Sequence, residues 1–283
     1  MKELVQQSEE WLEFRRSRIG ASDAPIIMGV SPWKTPYKLW VEKISNTNNT
    51  YVNKSMSRGI ELEEDARKLF QEMSGFIVKP DVRVHPEYDW MIASLDGIDE
   101  SKKIIVEIKC PNTVDHSLAK NGEIPKKYIP QLQHQMEVCQ VDMAYYFSFD
   151  GKQGVIVNVH RDENYIKNLM FKEKEFYSCM QNFISPESNN TDYRIVNDEV
   201  TSYIANRLVQ IKKNLKDLSN EEEDLKKNLI FMCGMENTKG KQFKLTKTYR
   251  KGSIDYRSIP ELENVDLEKY RSNPIEIWRI SND

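Results

Sequence analysis

No stretch of the 283-residue chain approaches the ~18 consecutive apolar residues of a membrane span. It opens MKELVQQSEEW, without the basic-then-apolar pattern of a secretory leader. A soluble protein of the cytoplasm, bacterial or of an infected host cell, is expected, with no membrane partner. The four cysteines, Cys110, Cys139, Cys179 and Cys233, include no close pair. Zinc and iron–sulfur sites usually need a short Cys-x-x-Cys-like pair to bring thiolates together, so neither is expected, and the thiols read as reduced and mostly buried. Net charge is lacking too: 41 basic against 44 acidic side chains leave −3. A nucleic-acid surface would have to be a local basic patch beside an acidic centre. Internal repeats are absent. What remains is an ordinary globular composition, 39 % hydrophobic and 30 % charged, at a length that fits one medium domain with an appendage.

The pattern along the chain is helix, turn, helix over residues 8–44, broken at Ser31-Pro32-Trp33 and Pro36, then a polar loop over 46–53. Residues 57–73 read as an amphipathic helix ended by Gly75, with Leu62, Ala66, Leu69 and Met73 toward the core. Strands follow at 76–84, 90–95, 104–110, 144–149 and 153–160, with helices at 128–139 and 163–183. This alternation predicts an α/β fold with a mixed central sheet flanked by helices. Residues 1–184 form the main domain and the polar run 185–195 a linker. Residues 196–283 form a small α+β accessory module: a charged helix pair (199–218 and 220–232), a hairpin at 241–254 and an edge strand at 275–280. The heptad signal in the helix pair is weak.

One string suggests chemistry. Asp96 is followed by ten residues and then Glu107-Ile108-Lys109. Strand alternation puts Glu107 and Lys109 on one face and buries Val106 and Ile108 on the other. The turn between the strands, with Asp99, Glu100, Lys102 and Lys103, would return Asp96 to Glu107. Two carboxylates and an ammonium suit Mg2+, which keeps several waters and is held by few carboxylates plus a substrate phosphate; Mn2+ can substitute. Such a string also arises by chance, and Glu107 beside Lys109 is equally a plain ion pair.

Five ordered motifs lift it above chance: WLEFRRSRIGASD, SRGIELEEDAR, ASLDGI, VEIKCP and PQLQHQM. Together they resemble the lambda-exonuclease / YqaJ-type viral recombinase family of PD-(D/E)xK nucleases, over residues 11–183. The resemblance implies a restriction-endonuclease-like core and a Mg2+-dependent 5′-to-3′ exonuclease on linear double-stranded DNA ends. It also implies a single-strand annealing protein as partner and a ring-shaped trimer. Residue by residue, it makes Asp96, Glu107, Glu63 and the carbonyl of Ile108 metal ligands, Lys109 the catalytic lysine and Gln131 a catalytic glutamine, with Gln133 beside it on DNA. Arg15 and Ser22, with Arg18 in the same basic cluster, correspond to a 5′-phosphate site, for which an Arg fork and a hydroxyl are suited.

Other readings of the same residues stay open. Glu63 sits among acids that favour a helix N-terminus, and Gln131 and Gln133 could be surface amides. Ser22 before Asp23-Ala24-Pro25 also reads as a helix N-cap. His85 and His134 read as structural or surface residues, and Trp33, Tyr37 and Trp40 as a helical core stripe. Leu95 stands where the signature has proline. In the tail, Phe243, Tyr249 and Tyr256 among basic residues could grip nucleic acid or simply keep a hairpin soluble. Competing functions are an endonuclease, an iron–sulfur exonuclease, which the scattered cysteines disfavour, and a non-catalytic DNA-binding assembly protein, which gives no reason for clustered like charges.

Overall fold

The computed structural model describes residues 9–45, 54–101, 103–111, 113–263 and 265–272. They fall into two compact units, Met1–Arg194 and Ile195–Asp283. The expected loop at 46–53, Lys102 of the strand-connecting turn and the expected edge strand at 275–280 lie outside the described residues. Among the described residues, no helix is long and apolar enough to cross a membrane.

The first unit opens with α1 (Glu9–Arg16), β1 (Ile19–Gly20), α2 (Ala24–Ile27), α3 (Pro36–Ile44) and α4 (Lys54–Ser74). Then come β2 (Lys79–Val84), β3 (Met91–Asp99), β4 (Ile104–Lys109), α5 (Thr113–Lys120), α6 (Ile129–Cys139), β5 (Met143–Phe149), β6 (Gly154–His160) and α7 (Glu163–Gln181). Neighbouring strands run in the order β1-β3-β4-β5-β6, with β2 also on β3. β1–β3 and β4–β5 are parallel; β2–β3, β3–β4 and β5–β6 are antiparallel. This is the mixed, helix-flanked sheet that the alternation of patterns predicts.

Strand alternation sorts the core into two layers. Ile104, Val106, Ile108 and Phe147 pack with Ala66 and Phe70 of α4 on one face. Ile105, Leu95 and Tyr146 pack with Leu132 and Met136 of α6 on the other, and Glu107 shares that second face by its parity with Ile105. In α4 Ala66 and Phe70 are buried and Leu62 and Leu69 partly so, but Met73 is 49 % exposed and not core. Gly75, at φ +72°, ends that helix as a glycine in the left-handed region can.

Several expectations are corrected. β1 was not anticipated: two residues carry no periodicity, and only pairing with Met91 and Ile92 makes them a strand. α5 was missed as well. Trp33 is no part of a core stripe. α3 begins at Pro36 behind its cap Thr35, whose hydroxyl accepts from the Lys38 N–H, and Trp33 is left 68 % exposed. Trp40 is held inside by a hydrogen bond from its Nε1 to the Cys179 carbonyl (3.1 Å). The cysteines are half-buried rather than buried. Part of the stretch read as a linker is docked: Asp192 accepts from the Thr35 hydroxyl (2.5 Å) and the Thr191 carbonyl from Lys38 (2.7 Å).

The second unit has one helix where the sequence suggested two. α8 (Glu199–Met232) runs 34 residues without a break, because no glycine or proline interrupts it. Its cap Asp198 accepts from the Thr201 N–H (2.8 Å). The hairpin is shorter and earlier than expected, β7 (Thr238–Lys239) with β8 (Lys244–Leu245).

Candidate active site

β3 carries the site because of how its two edges are shared. β2 pairs along Ile92–Ile98 on one edge. On the other edge β1 takes Met91 and Ile92 and β4 takes Gly97 to Asp99. Residues 93–96 therefore face a gap between β1 and β4. The β3–β4 ladder stops at Gly97↔Val106, one step before Asp96 would stand opposite Glu107. At that point the backbone N–H of Ile108 donates to Asp96 Oδ2 (2.8 Å), which fixes the carboxylate at the mouth of the gap.

Glu107 is 2 % exposed. A buried carboxylate must be fully satisfied or it destabilises the fold. Its Oε1 takes the Lys109 ammonium (2.5 Å) and the Gln131 amide (2.5 Å); its Oε2 takes the Gln135 amide (2.5 Å). Gln131 and Gln135 are one helical turn apart on α6, so both point at the same strand residue. The motif PQLQHQM contains Gln135 without singling it out; its spacing from Gln131 is the available signal.

At the other end of the gap, the Arg15 guanidinium donates to the Ser22 hydroxyl (2.6 Å). Asp23 lies behind it, 3.5 Å from Arg15, and takes the buried Lys43 ammonium (2.6 Å) and the Gly20 N–H (2.9 Å). Lys43 also donates to the carbonyls of Arg15 (3.1 Å) and Arg18 (2.7 Å). One ammonium thus braces the end of α1 against the start of α2. Burial alone would raise the Asp23 carboxyl, but Lys43, Arg15 and the Gly20 N–H hold it down to about 2. Neither Lys43 nor Asp23 was read as part of a site.

Both ends open into one cavity of about 190 Å³, lined by Arg15, Ser22, Asp96, Glu107, Lys109 and Gln131 together with Trp11, Ile92, Ser94 and the 20–21 backbone. Six of the residues singled out in the sequence therefore meet in one place. Others do not. Arg18 turns away, donating to the Asp89 carbonyl (2.9 Å) and lying over the Phe14 ring. Gln133 is buried with both amide ends used, donating to the His160 carbonyl (2.8 Å) and accepting from the Asp162 N–H (2.9 Å). Both side chains thus tie protein segments together outside the cavity. Ser22 is not the helix cap; Asp23 occupies that position and makes no side-chain cap bond. Glu63 sits beside the cavity, paired with Arg67 (2.5 Å), whose Nε donates to the Asp96 carbonyl (2.7 Å). His85 and His134 are structural, bonded to Glu137 (3.1 Å) and Glu173 (2.8 Å).

The electrostatics are unbalanced in one direction. Burial raises the Asp96 carboxyl well above the carboxylate range, and the charges of Glu107 and Glu63 add to it. Burial pulls the Lys109 ammonium down, but Glu107 and Asp96 outweigh that and hold it charged. Asp96 and Glu107 are thus hard oxygen donors whose mutual repulsion a divalent cation would relieve. Among the described residues no group of three His, Cys, Asp or Glu side chains is arranged to hold a metal. The donor set fits an ion that takes few protein carboxylates and completes its shell with water and phosphate, as Mg2+ does, and not a closed structural metal site.

Residues 10–142 match the YqaJ-like viral recombinase domain family. An uncharacterized protein of Bacillus subtilis, YqaJ, is 35 % identical over 179 residues, 60 % of this chain; the match spans 55 % of that relative's own length. A crystal structure of LHK-Exo in complex with dAMP superposes with a TM-score of 0.55 at 28 % identity, over 62 % of this chain and 94 % of the other. A second structure of that protein, an alkaline exonuclease from Laribacter hongkongensis, gives a TM-score of 0.55 at 27 % identity with the same coverage. Residues 10–142, which carry every side chain of the cavity, are therefore similar to the YqaJ-like viral recombinase domain family, on the fold of the lambda-exonuclease-like nucleases.

Proposed function

We propose that the protein is a metal-dependent DNA exonuclease that starts from the 5′-phosphorylated end of a linear duplex. The observation that carries this reading is the single cavity in which an Arg–Ser pair faces Asp96, the buried Glu107 and Lys109. The likeness to an alkaline exonuclease supports the reaction class.

The roles follow from the chemistry of each group. The Arg15 fork and Ser22 hydroxyl receive the terminal phosphate dianion, with Lys43 and Asp23 holding Arg15 in place. A phosphate held there puts a bond near the 5′ end against Asp96 and Glu107, which accounts for 5′-to-3′ polarity. Gln131 and Gln135 fix the rotamer of Glu107. Lys109 keeps its proton and can orient the attacking water or balance charge growing on the scissile phosphate. Mg2+, or Mn2+ in its place, held by Asp96 and Glu107 with Glu63 and the Ile108 carbonyl as further oxygen donors, would supply Lewis acidity to the phosphate and an activated water. The product would be a duplex with a 3′ overhang, the substrate of a single-strand annealing protein.

The test is the rate of degradation of a linear duplex bearing 5′-phosphate or 5′-hydroxyl ends, with Mg2+ and with EDTA. Faster loss of the phosphorylated duplex, abolished by EDTA and by Lys109→Ala, is expected. Equal rates on the two ends would sink the phosphate site, persistent activity in Lys109→Ala would sink the assigned centre, and comparable cutting of closed circular DNA would make the enzyme an endonuclease.

A further inference from the structure

Helix α8 has no buried residue, yet it carries a long apolar seam. Ile204, Leu208, Ile211, Leu215, Leu218, Leu225, Leu229 and Met232 follow one another at steps of four and three, with Glu222 filling the one remaining position of the series. Seven of these eight apolar side chains are at least 39 % exposed, and Leu229 is half-buried. A helix packed on a globular core needs only an apolar stripe of period 3.6, and the drift of about 20° per heptad would carry a strict seven-residue repeat off such a surface. A seam of period 3.5 kept over four heptads fits another helix that supercoils with it.

We infer that α8 forms a coiled coil with α8 of further copies of this chain. Leu208, Leu215 and Leu229 occupy the a positions, and Ile204, Ile211, Leu218, Leu225 and Met232 the d positions. Leu at a with Ile at d, as in the first two heptads, is the choice that favours more than two parallel strands. In a parallel pair Glu221, at g, meets Lys226, at the following e, of the next copy with opposite charge, whereas Arg207 and Lys212 at the N-terminal end meet with like charge. Glu222, a lone polar residue at a, has the place of a register-setting residue that lowers stability while aligning copies. The seam is also long enough: with about 80 Å² of apolar surface withdrawn per side chain, two copies reach the roughly 1,200 Å² of a stable interface. This holds whether or not the first unit is a nuclease.

The test uses the full chain with a photo-crosslinking phenylalanine analogue in place of Leu218 on the seam, or of Asn220 on the opposite face. Products joining two chains from Leu218 and not from Asn220 are expected, and they should disappear when Ile211→Lys and Leu215→Lys are added. Circular dichroism of that double variant checks that α8 is still helical. In light scattering at micromolar concentration, Glu222→Leu should lower the concentration for half-association at least tenfold. Crosslinks only within one chain, equal yields from the two sites, or no tightening by Glu222→Leu would each overturn the proposal. So would a mass unchanged by Ile211→Lys with Leu215→Lys while the Leu218 crosslink persists.

Discussion

Lys43 is almost removed from water; burial pulls its pKa down, the Asp23 carboxylate beside it opposes that, and the carbonyls of Arg15 and Arg18 take its other hydrogen bonds. It does not itself line the cavity, so it acts on the proposed phosphate site only through the placement of Arg15. Lys43→Met should raise KM for 5′-phosphorylated ends about tenfold with kcat little changed, and should erase the preference for phosphate over hydroxyl ends, read from initial rates. A general loss of folding would lower both rates alike and keep their ratio. Asp23 makes a second prediction. Its folded pKa, about 2, lies below the unfolded carboxyl, so its contribution is present above about pH 4 and is lost as the pH falls through about 2. That contribution is about 2 kcal/mol, and denaturant midpoints followed from pH 5 to pH 2 should fall less steeply in Asp23→Asn. Asp96, Glu107 and Lys109 were legible because a period of two decides their face. Lys43 was not, since a lysine on a short amphipathic helix is nearly always solvated and only the three-dimensional arrangement of acceptors makes it buried.

At the scale of elements, α6 explains why part of the site escaped sequence reading. Its run QLQHQME looks like a surface helix, but every polar side chain in it is buried and reaches a different element. Gln131 and Gln135 reach β4, Gln133 the start of α7, His134 the middle of α7, and Glu137 pairs with Arg161 and His85. Periodicity reports apolar faces only, so a helix that packs through satisfied amides reads as solvated. The β3–β4 pairing was legible by contrast, because a short polar turn between alternating strands leaves few other arrangements. Its weak point is Gly97, where a Cβ would come within 2.6 Å of Val106 Cγ1 and 2.7 Å of Val78 Cγ2. Gly97→Ala should therefore cost about 1–3 kcal/mol of stability, read from urea unfolding, and should weaken activity by displacing Asp96. Ser94→Ala, three residues before it, should leave stability within about 1 kcal/mol.

For the molecule as a whole, the cavity is built by the first unit alone, and that unit has its own core layers. A chain ending at Arg194 is expected to keep the phosphate-dependent initial rate on short duplexes within about threefold, measured against the full chain under single-turnover conditions. A loss beyond tenfold would mean that the second unit contributes to the chemistry. The change from a mainly α/β texture to a helical tail was legible as a shift in composition. The single continuous α8 was not, because a run of acids around Glu222 imitates a new helix start. The shared edge of β3 has one more consequence, for the order in which the protein is made. Arg15 leaves the ribosome first, but β1 has no strand to join until Met91 and Ile92 follow, and Glu107 stays without its amide partners until Gln135 has emerged. An unfinished chain arrested before that point holds the proposed phosphate site without the completed proposed hydrolytic centre, so nascent or prematurely terminated copies should leave the DNA around them uncut.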